Sequence, residues 1–89
     1  MTKVAALELA SMKIRVNAVL PGTTDTAMVR AAAGATRSVE EMAVNVPLGK
    51  RLVRPEEVGN MVLFLASDAS SMCTGGDFIV DGGKTARIA

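Results

Sequence analysis

The 89-residue chain has no histidine, no tyrosine and no tryptophan. Without histidine, the commonest general base and metal ligand are both missing. Phe64 and Phe78 are the only aromatic residues, which leaves no stacking platform for single-stranded nucleic acid. The single cysteine, Cys73, excludes an internal disulfide and suits a reducing, cytoplasmic setting. Flanked by Met72 and Thr74, with no imidazole to activate it, Cys73 reads as a buried, inert thiol. Ten basic and nine acidic residues leave a net charge of +1. No block of one sign stands out, so neither nucleic acid nor a membrane surface is an expected partner. The longest apolar stretch, residues 61–66, falls far short of the ~20 residues that span a bilayer. Residues 1–8 faintly suggest a signal peptide, but Glu8 interrupts the apolar part and no cleavage pattern follows, so a soluble helix is expected. Asp68, Asp77 and Asp81 lack the spacing of a calcium loop, and no metal site is expected.

What is present is apolar: 49% hydrophobic against 21% charged residues, too hydrophobic for a disordered tail. Residues 1–89 make at most one small domain, and a chain of this size buries only roughly 60–65% of its unfolded surface. The remaining apolar surface must be covered from within the chain or beyond it. Good helix formers fill residues 2–12. Residues 14–20 are rich in branched side chains and read as a strand stopped by Pro21-Gly22. Residues 27–33 could be briefly helical. Ser38 before Glu40 and Glu41 predicts a helix N-cap, with that helix ending before Pro47. The strongest helix signal starts at Pro55, with Glu56 and Glu57 in the first turn. Val58, Met61, Val62 and Leu65 recur at helical spacing, and Leu63 and Phe64 make the far side apolar, which predicts cover on more than one face. Gly75-Gly76 and Gly82-Gly83 bracket a strand over residues 77–81. Two strands joined by a helical crossover should run parallel, and such strands are normally buried on both faces. Two strands and two main helices cannot supply that burial, so the chain reads as an edge cut from a larger sheet.

Few residues offer chemistry. Glu40–Glu41 and Glu56–Glu57 are sequence neighbours, pointing about 100° apart on a helix, and serve its start rather than as an acid/base pair. Neither glycine pair follows a strand and opens a helix, as a phosphate-binding turn requires. Leu20-Pro21-Gly22 has the better claim, because ligands in open parallel sheets sit beyond the carboxyl ends of strands. Pro21 fixes the chain's exit, Gly22 permits close backbone approach, and Thr23, Thr24, Asp25 and Thr26 follow with amides and hydroxyls. An ordinary Pro-Gly turn is the alternative reading.

The string IRVNAVLPGTTDT resembles the segment ending the sixth strand of short-chain dehydrogenases/reductases, with its N-A-x-x-P-G-x-x-x-T pattern. VPLGKRLVRPEEVGNMVLFLASDAS resembles that family's next loop and helix, and CTGGDFIVDGG its T-G-x-x-x-x-V-D-G-G strand. The resemblance spans nearly the whole chain in order. It implies an α/β fold: the C-terminal βαβ edge of a doubly wound, parallel, Rossmann-type sheet, incomplete by itself. It also implies a nicotinamide-side role with NAD or NADP. Pro21 and Gly22 would form the floor beneath the nicotinamide, the Thr24 backbone would meet its carboxamide, and the Thr26 hydroxyl would bond the carboxamide or a nearby phosphate. Asn17 would tie strand backbone to a neighbour. Residues 27–53 would form the lid over a small alcohol or ketone substrate.

The family's glycine-rich phosphate turn, its serine and its Tyr-x-x-x-Lys pair are not in this sequence, so no residue here is expected to be catalytic. Lys13 and Val53 stand where the family often has glycine, and a non-glycine residue in a left-handed turn costs roughly 1 kcal/mol. Two readings follow. The first is a piece of an NAD(P)-dependent oxidoreductase that is inactive alone and binds cofactor weakly or not at all. The second is a non-enzymatic interaction or homo-oligomerisation module built on the apolar helix and open strand edge.

Overall fold

The computed structural model describes residues 1–32 and 38–86. Helix α1 (Thr2–Leu9) runs into a 3-10 turn (Ala10–Met12), followed by strand β1 (Ala18–Pro21) and helices α2 (Ala27–Ala32), α3 (Val39–Val44) and α4 (Pro55–Ala66). A second 3-10 turn (Asp68–Ser70) leads to strand β2 (Asp77–Val80). The expected helix over 27–33 is present to Ala32; Ala33 lies outside the described residues. Ser38 caps α3 as expected, its Oγ accepting from the Glu41 N–H at 3.1 Å.

β1 and β2 form a two-stranded parallel sheet in the register Ala18↔Asp77 through Pro21↔Val80, and α4 packs on both strands. The expected strand over 14–20 is shorter and displaced. Gly75, at φ 74°, turns the partner chain out of strand geometry, so residues upstream of Ala18 pair with it through mixed contacts. Gly75 N–H donates to the Val16 carbonyl at 2.7 Å. Asn17 then substitutes for the ladder: its Nδ2 donates to the Cys73 carbonyl at 2.8 Å, and its Oδ1 accepts from Gly76 N–H at 3.1 Å. Asn17 thus has the structural role expected of it. Pro21, expected to stop the strand, remains inside it. The amides of Ala18 and Gly22 donate to the Gly76 and Val80 carbonyls, so by strand alternation the Pro21 nitrogen faces away from β2 and its missing hydrogen removes no rung.

Lys13 closes the first helical segment in the left-handed region, at φ 59° and ψ 33°, as the family resemblance implies. Val53 does not share that conformation. It sits extended in an isolated parallel bridge with Thr24, where a branched residue is favoured, so the expected penalty there is absent. Lys13→Gly should therefore stabilise the chain by at most about 1 kcal/mol, the relief of the left-handed backbone being offset partly by glycine's greater freedom when unfolded. Thermal unfolding followed by circular dichroism checks this; a lowered midpoint would contradict it.

The interior is small. Ala6, Val46, Leu52 and Val53 are the buried apolar residues among those described. On α4, Val62, Leu63 and Phe64 are exposed, so the cover expected on several faces of this helix is not supplied within the chain. The radius of gyration is 15.8 Å, against about 12 Å for a compact domain of this length. The accessible surface is 6494 Å², whereas a compact monomer of 9.2 kDa exposes about 4,900 Å². The excess has the character of an open sheet edge.

Candidate functional site

Parallel pairing brings the carboxyl ends of both strands to one end of the sheet. There the chain leaves β1 through Pro21-Gly22 and leaves β2 through Asp81-Gly82-Gly83. The two exits touch: a Cβ built on Gly22 would lie 2.7 Å from Asp81 Cβ and 2.9 Å from Asp81 Cα. Only glycine permits that approach, so Gly22 here meets another strand's backbone.

Asp81 is buried and organises the second exit. Its Oδ1 accepts from Gly83 N–H at 2.8 Å, and its Oδ2 accepts from Thr85 N–H at 3.0 Å and from the Thr85 hydroxyl at 2.5 Å. The Thr85 hydroxyl, then the amides at Gly83 and Thr85, hold this carboxyl below its ordinary range. Gly82 and Gly83, at φ 66° and 88°, make the left-handed turn that brings those donors round.

Between the exits lies an open cleft of about 640 Å³. Pro21, Gly22 and Thr24 line it together, beside Thr23 and the apolar side chains of Leu20 and Ile79. Thr24 is held by the bridge to Val53, in which Asp25 N–H donates to the Val53 carbonyl at 2.7 Å and Val53 N–H to the Thr23 carbonyl at 3.0 Å. Because that ladder uses the groups on either side of Thr24, its own amide and carbonyl face the opposite direction. Its hydroxyl donates to the Gly22 carbonyl at 3.0 Å. Thr26 is placed differently: its hydroxyl caps α2, accepting from Val29 N–H at 3.2 Å, and it does not line the cleft. Asp25 is forked to Arg30 through Oδ1–Nε at 2.5 Å and Oδ2–Nη2 at 2.8 Å, and this pairing lowers the Asp25 pKa.

The segment 27–53, expected as a lid, divides in two. Val46, Leu52 and Val53 are among the most buried residues described, and Leu48 N–H donates to the Gly82 carbonyl at 2.9 Å. Residues 46–53 are thus docked on the β2 exit. The lid expectation also covers residues 33–37, which lie outside the described residues. Where this docked stretch enters α4, Arg51 forks Glu57 at 2.8 Å on both oxygens, and Glu57 Oε1 also accepts from Arg54 N–H at 2.8 Å. The Arg51 guanidinium and then the Arg54 amide hold the Glu57 pKa down at about 2.

Glu57 and Asp81 share one sign of pH dependence. Both folded-state pKa values lie below the ordinary carboxylate values. Their stabilisation is complete above those ordinary values and is lost as pH falls through the folded ones. The thermal midpoint should therefore be level above about pH 5 and fall between about pH 4.5 and pH 2. Glu57→Gln should flatten part of that fall, and an unchanged acid limb would show that the Arg51 fork contributes nothing.

Cys73 is half-buried. Among the described residues no three histidine, cysteine, aspartate or glutamate side chains are grouped to hold a metal ion, and no helix is long and apolar enough to cross a membrane. Sequence reasoning missed Asp81, Lys84 and Thr85 as cleft residues. The signal was available: parallel strands end together, and D-G-G-x-T places an acceptor two and four residues before its donors.

The profile of the family described as enoyl-(acyl carrier protein) reductase matches residues 1–85. The chain is 48% identical over 86 residues to the cis-4-hydroxycyclohexanecarboxylate dehydrogenase of Sinomonas cyclohexanicum, covering 97% of this chain and 33% of that protein. It is 45% identical over 89 residues to a 3-alpha-(or 20-beta)-hydroxysteroid dehydrogenase of Mycobacterium tuberculosis, covering 100% and 31%. A solved short chain dehydrogenase family protein from Francisella tularensis superposes with a TM-score of 0.85 at 40% identity, over 98% of this chain and 39% of that one. The fold is thus an edge of a Rossmann-type sheet. The chain belongs to the short-chain dehydrogenase/reductase family, whose members matched here are oxidoreductases. It spans about a third of the length of the curated relatives it matches.

Proposed function

We propose that this chain is the nicotinamide-side edge, a single partial domain over residues 1–89, of an NAD(P)-dependent oxidoreductase acting between an alcohol and a ketone. The observation that carries the reading is the contact of Gly22 with Asp81, which fixes Pro21, Gly22 and Thr24 around one cleft at the carboxyl ends of parallel strands. This is where dinucleotides bind in open α/β sheets. The two curated relatives above are named for hydroxylated ring compounds, which favours a secondary ring alcohol as substrate of the whole enzyme.

The residues fit a nicotinamide. Pro21 and Gly22 offer a flat floor without a side chain at its tightest point, and Thr24 offers one outward amide and one outward carbonyl, matching a carboxamide's acceptor and donor. The Thr26 hydroxyl, which caps α2, would reach the carboxamide or a phosphate after a rotamer change. When bound, the dinucleotide supplies or accepts hydride. The chain's own residues orient the ring, and no side chain among its 89 residues matches the family's tyrosine–lysine proton relay.

The chain alone is therefore inert. Incubated with NAD or NADP and a panel of alcohols, or with the reduced cofactors and ketones, it should give no change in absorbance at the reduced-cofactor band. Measurable turnover would refute this. The exposed Val62, Leu63 and Phe64 on α4 favour a second reading, a non-enzymatic or homo-oligomeric interface. A discrete, concentration-dependent complex in sedimentation supports that reading, and indefinite aggregation counts against it.

A further inference from the structure

The bridge between Thr24 and Val53 sets which way the ledge presents its peptide groups, and Val53 is itself fixed on both sides. The peptide unit joining Leu52 to Val53 is held at each end. Arg51 Nη1 donates to the Leu52 carbonyl at 3.1 Å, and Val53 N–H donates to the Thr23 carbonyl at 3.0 Å. The next unit is held in the same way: Arg54 N–H donates to Glu57 Oε1 at 2.8 Å, and the Val53 carbonyl accepts from Asp25 N–H at 2.7 Å. Arg51 and Glu57 are forked to each other at 2.8 Å on both oxygens. One ion pair therefore grips the outer end of both peptide units around Val53. Because a trans peptide is planar, gripping its outer end aims its inner end, here at Thr23 and Asp25.

We propose that the Arg51–Glu57 fork positions the site of the nicotinamide carboxamide, acting through Val53 on Thr24. With the groups on either side of it taken by Val53, Thr24 has its own amide and carbonyl turned the other way, and neither makes a backbone hydrogen bond among the described residues. The Thr24 hydroxyl is spent on the Gly22 carbonyl at 3.0 Å. One peptide donor and one peptide acceptor are what Thr24 has left to offer a ligand, and a primary carboxamide answers both. A carboxylate in its place accepts from the amide but has no hydrogen for the carbonyl. Neither Arg51 nor Glu57 lines the cleft, so both are positioning residues. The inference rests on the Pro21–Thr24 ledge being the nicotinamide site, and adds the residues that set its preference for an amide over an acid.

The test uses the full 89-residue chain and its Arg51→Ala, Glu57→Ala and Glu56→Ala variants, followed by heteronuclear NMR. Amide hydrogen exchange at Asp25 reports on the bridge, and exchange at Gly22, which donates to Val80, reports on the sheet. Arg51→Ala and Glu57→Ala should each speed exchange at Asp25 by roughly two- to fivefold, the range of one exposed ion pair, and leave Gly22 unchanged. Glu56→Ala, which removes an exposed acid one position earlier, should alter neither. Each chain is then titrated with nicotinamide mononucleotide and with nicotinic acid mononucleotide. The unaltered chain should bind the first weakly, with shifts at Gly22 and Thr24, and prefer it by about fivefold, the worth of one hydrogen bond. Arg51→Ala and Glu57→Ala should both narrow that preference to less than about twofold. These two variants change the net charge in opposite directions, so a shared narrowing is not a general electrostatic effect. Asp25 exchange or an amide preference indifferent to both variants would overturn the proposal while leaving the ledge reading standing. No shift at Gly22 and Thr24 in the unaltered chain would sink the ledge reading and the proposal together.

Discussion

Gly22→Ala should abolish cooperative unfolding of this chain. The added methyl would overlap Asp81 Cβ at 2.7 Å and Asp81 Cα at 2.9 Å, and neither atom belongs to a flexible side-chain end that can swing away. The strands would have to part where Gly22 N–H donates to the Val80 carbonyl at 2.9 Å. Overpacking of this kind costs typically about 1–3 kcal/mol, and a domain of this size has only a few to give. Far-UV circular dichroism on heating measures the loss. Gly59→Ala is the matched control: nothing lies within 4 Å of that Cβ in the interior of α4, so the same change should raise stability by roughly 0.5–1 kcal/mol. Equal effects at the two glycines would show that the close approach at Gly22 is not real.

Ser70→Ala is expected to have the next largest effect. Ser70 is 1% exposed. Its Oγ lies 2.9 Å from the Phe64 carbonyl, 3.0 Å from that of Leu65 and 3.1 Å from that of Ser67, and accepts from Arg15 Nη1 at 2.9 Å. One hydroxyl hydrogen serves one carbonyl at a time, while the oxygen's lone pairs receive the guanidinium. The alanine variant leaves the end of α4 and the Arg15 guanidinium without that partner, at a cost of about 1–3 kcal/mol. Ser71→Ala, at the exposed neighbour, should stay within about 0.5 kcal/mol. A Ser70→Ala midpoint matching that of Ser71→Ala would mean the network does not hold the segment before β1 to the end of α4.

Helices and turns were legible because their signals are local. Pro55 with two acids, the Ser38 cap and the glycine pairs each act within a few residues. Strand limits were less legible because pairing depends on a distant segment. The shortening of the strand at Ala18 is decided by Gly75, some 57 residues downstream, and nothing in residues 14–17 announces it. The ledge residues Pro21, Gly22 and Thr24 were readable as a strand exit. Asp81 and Lys84 were not, since their part in the cleft appears only when the two exits are laid side by side. The same holds for Val53, whose side chain is unremarkable in sequence until its bridge to Thr24 fixes it.

The nitrogen of Pro21 faces away from β2 and carries no hydrogen. On that flank of β1, amides recur at every second residue, so after Val19 the next donor that a neighbouring strand would need is missing. A strand added there can pair along β1 as far as Val19 and meets no donor at Pro21. That flank thus stays open to the further strands of a larger sheet while losing one rung beside the Pro21-Gly22 exit.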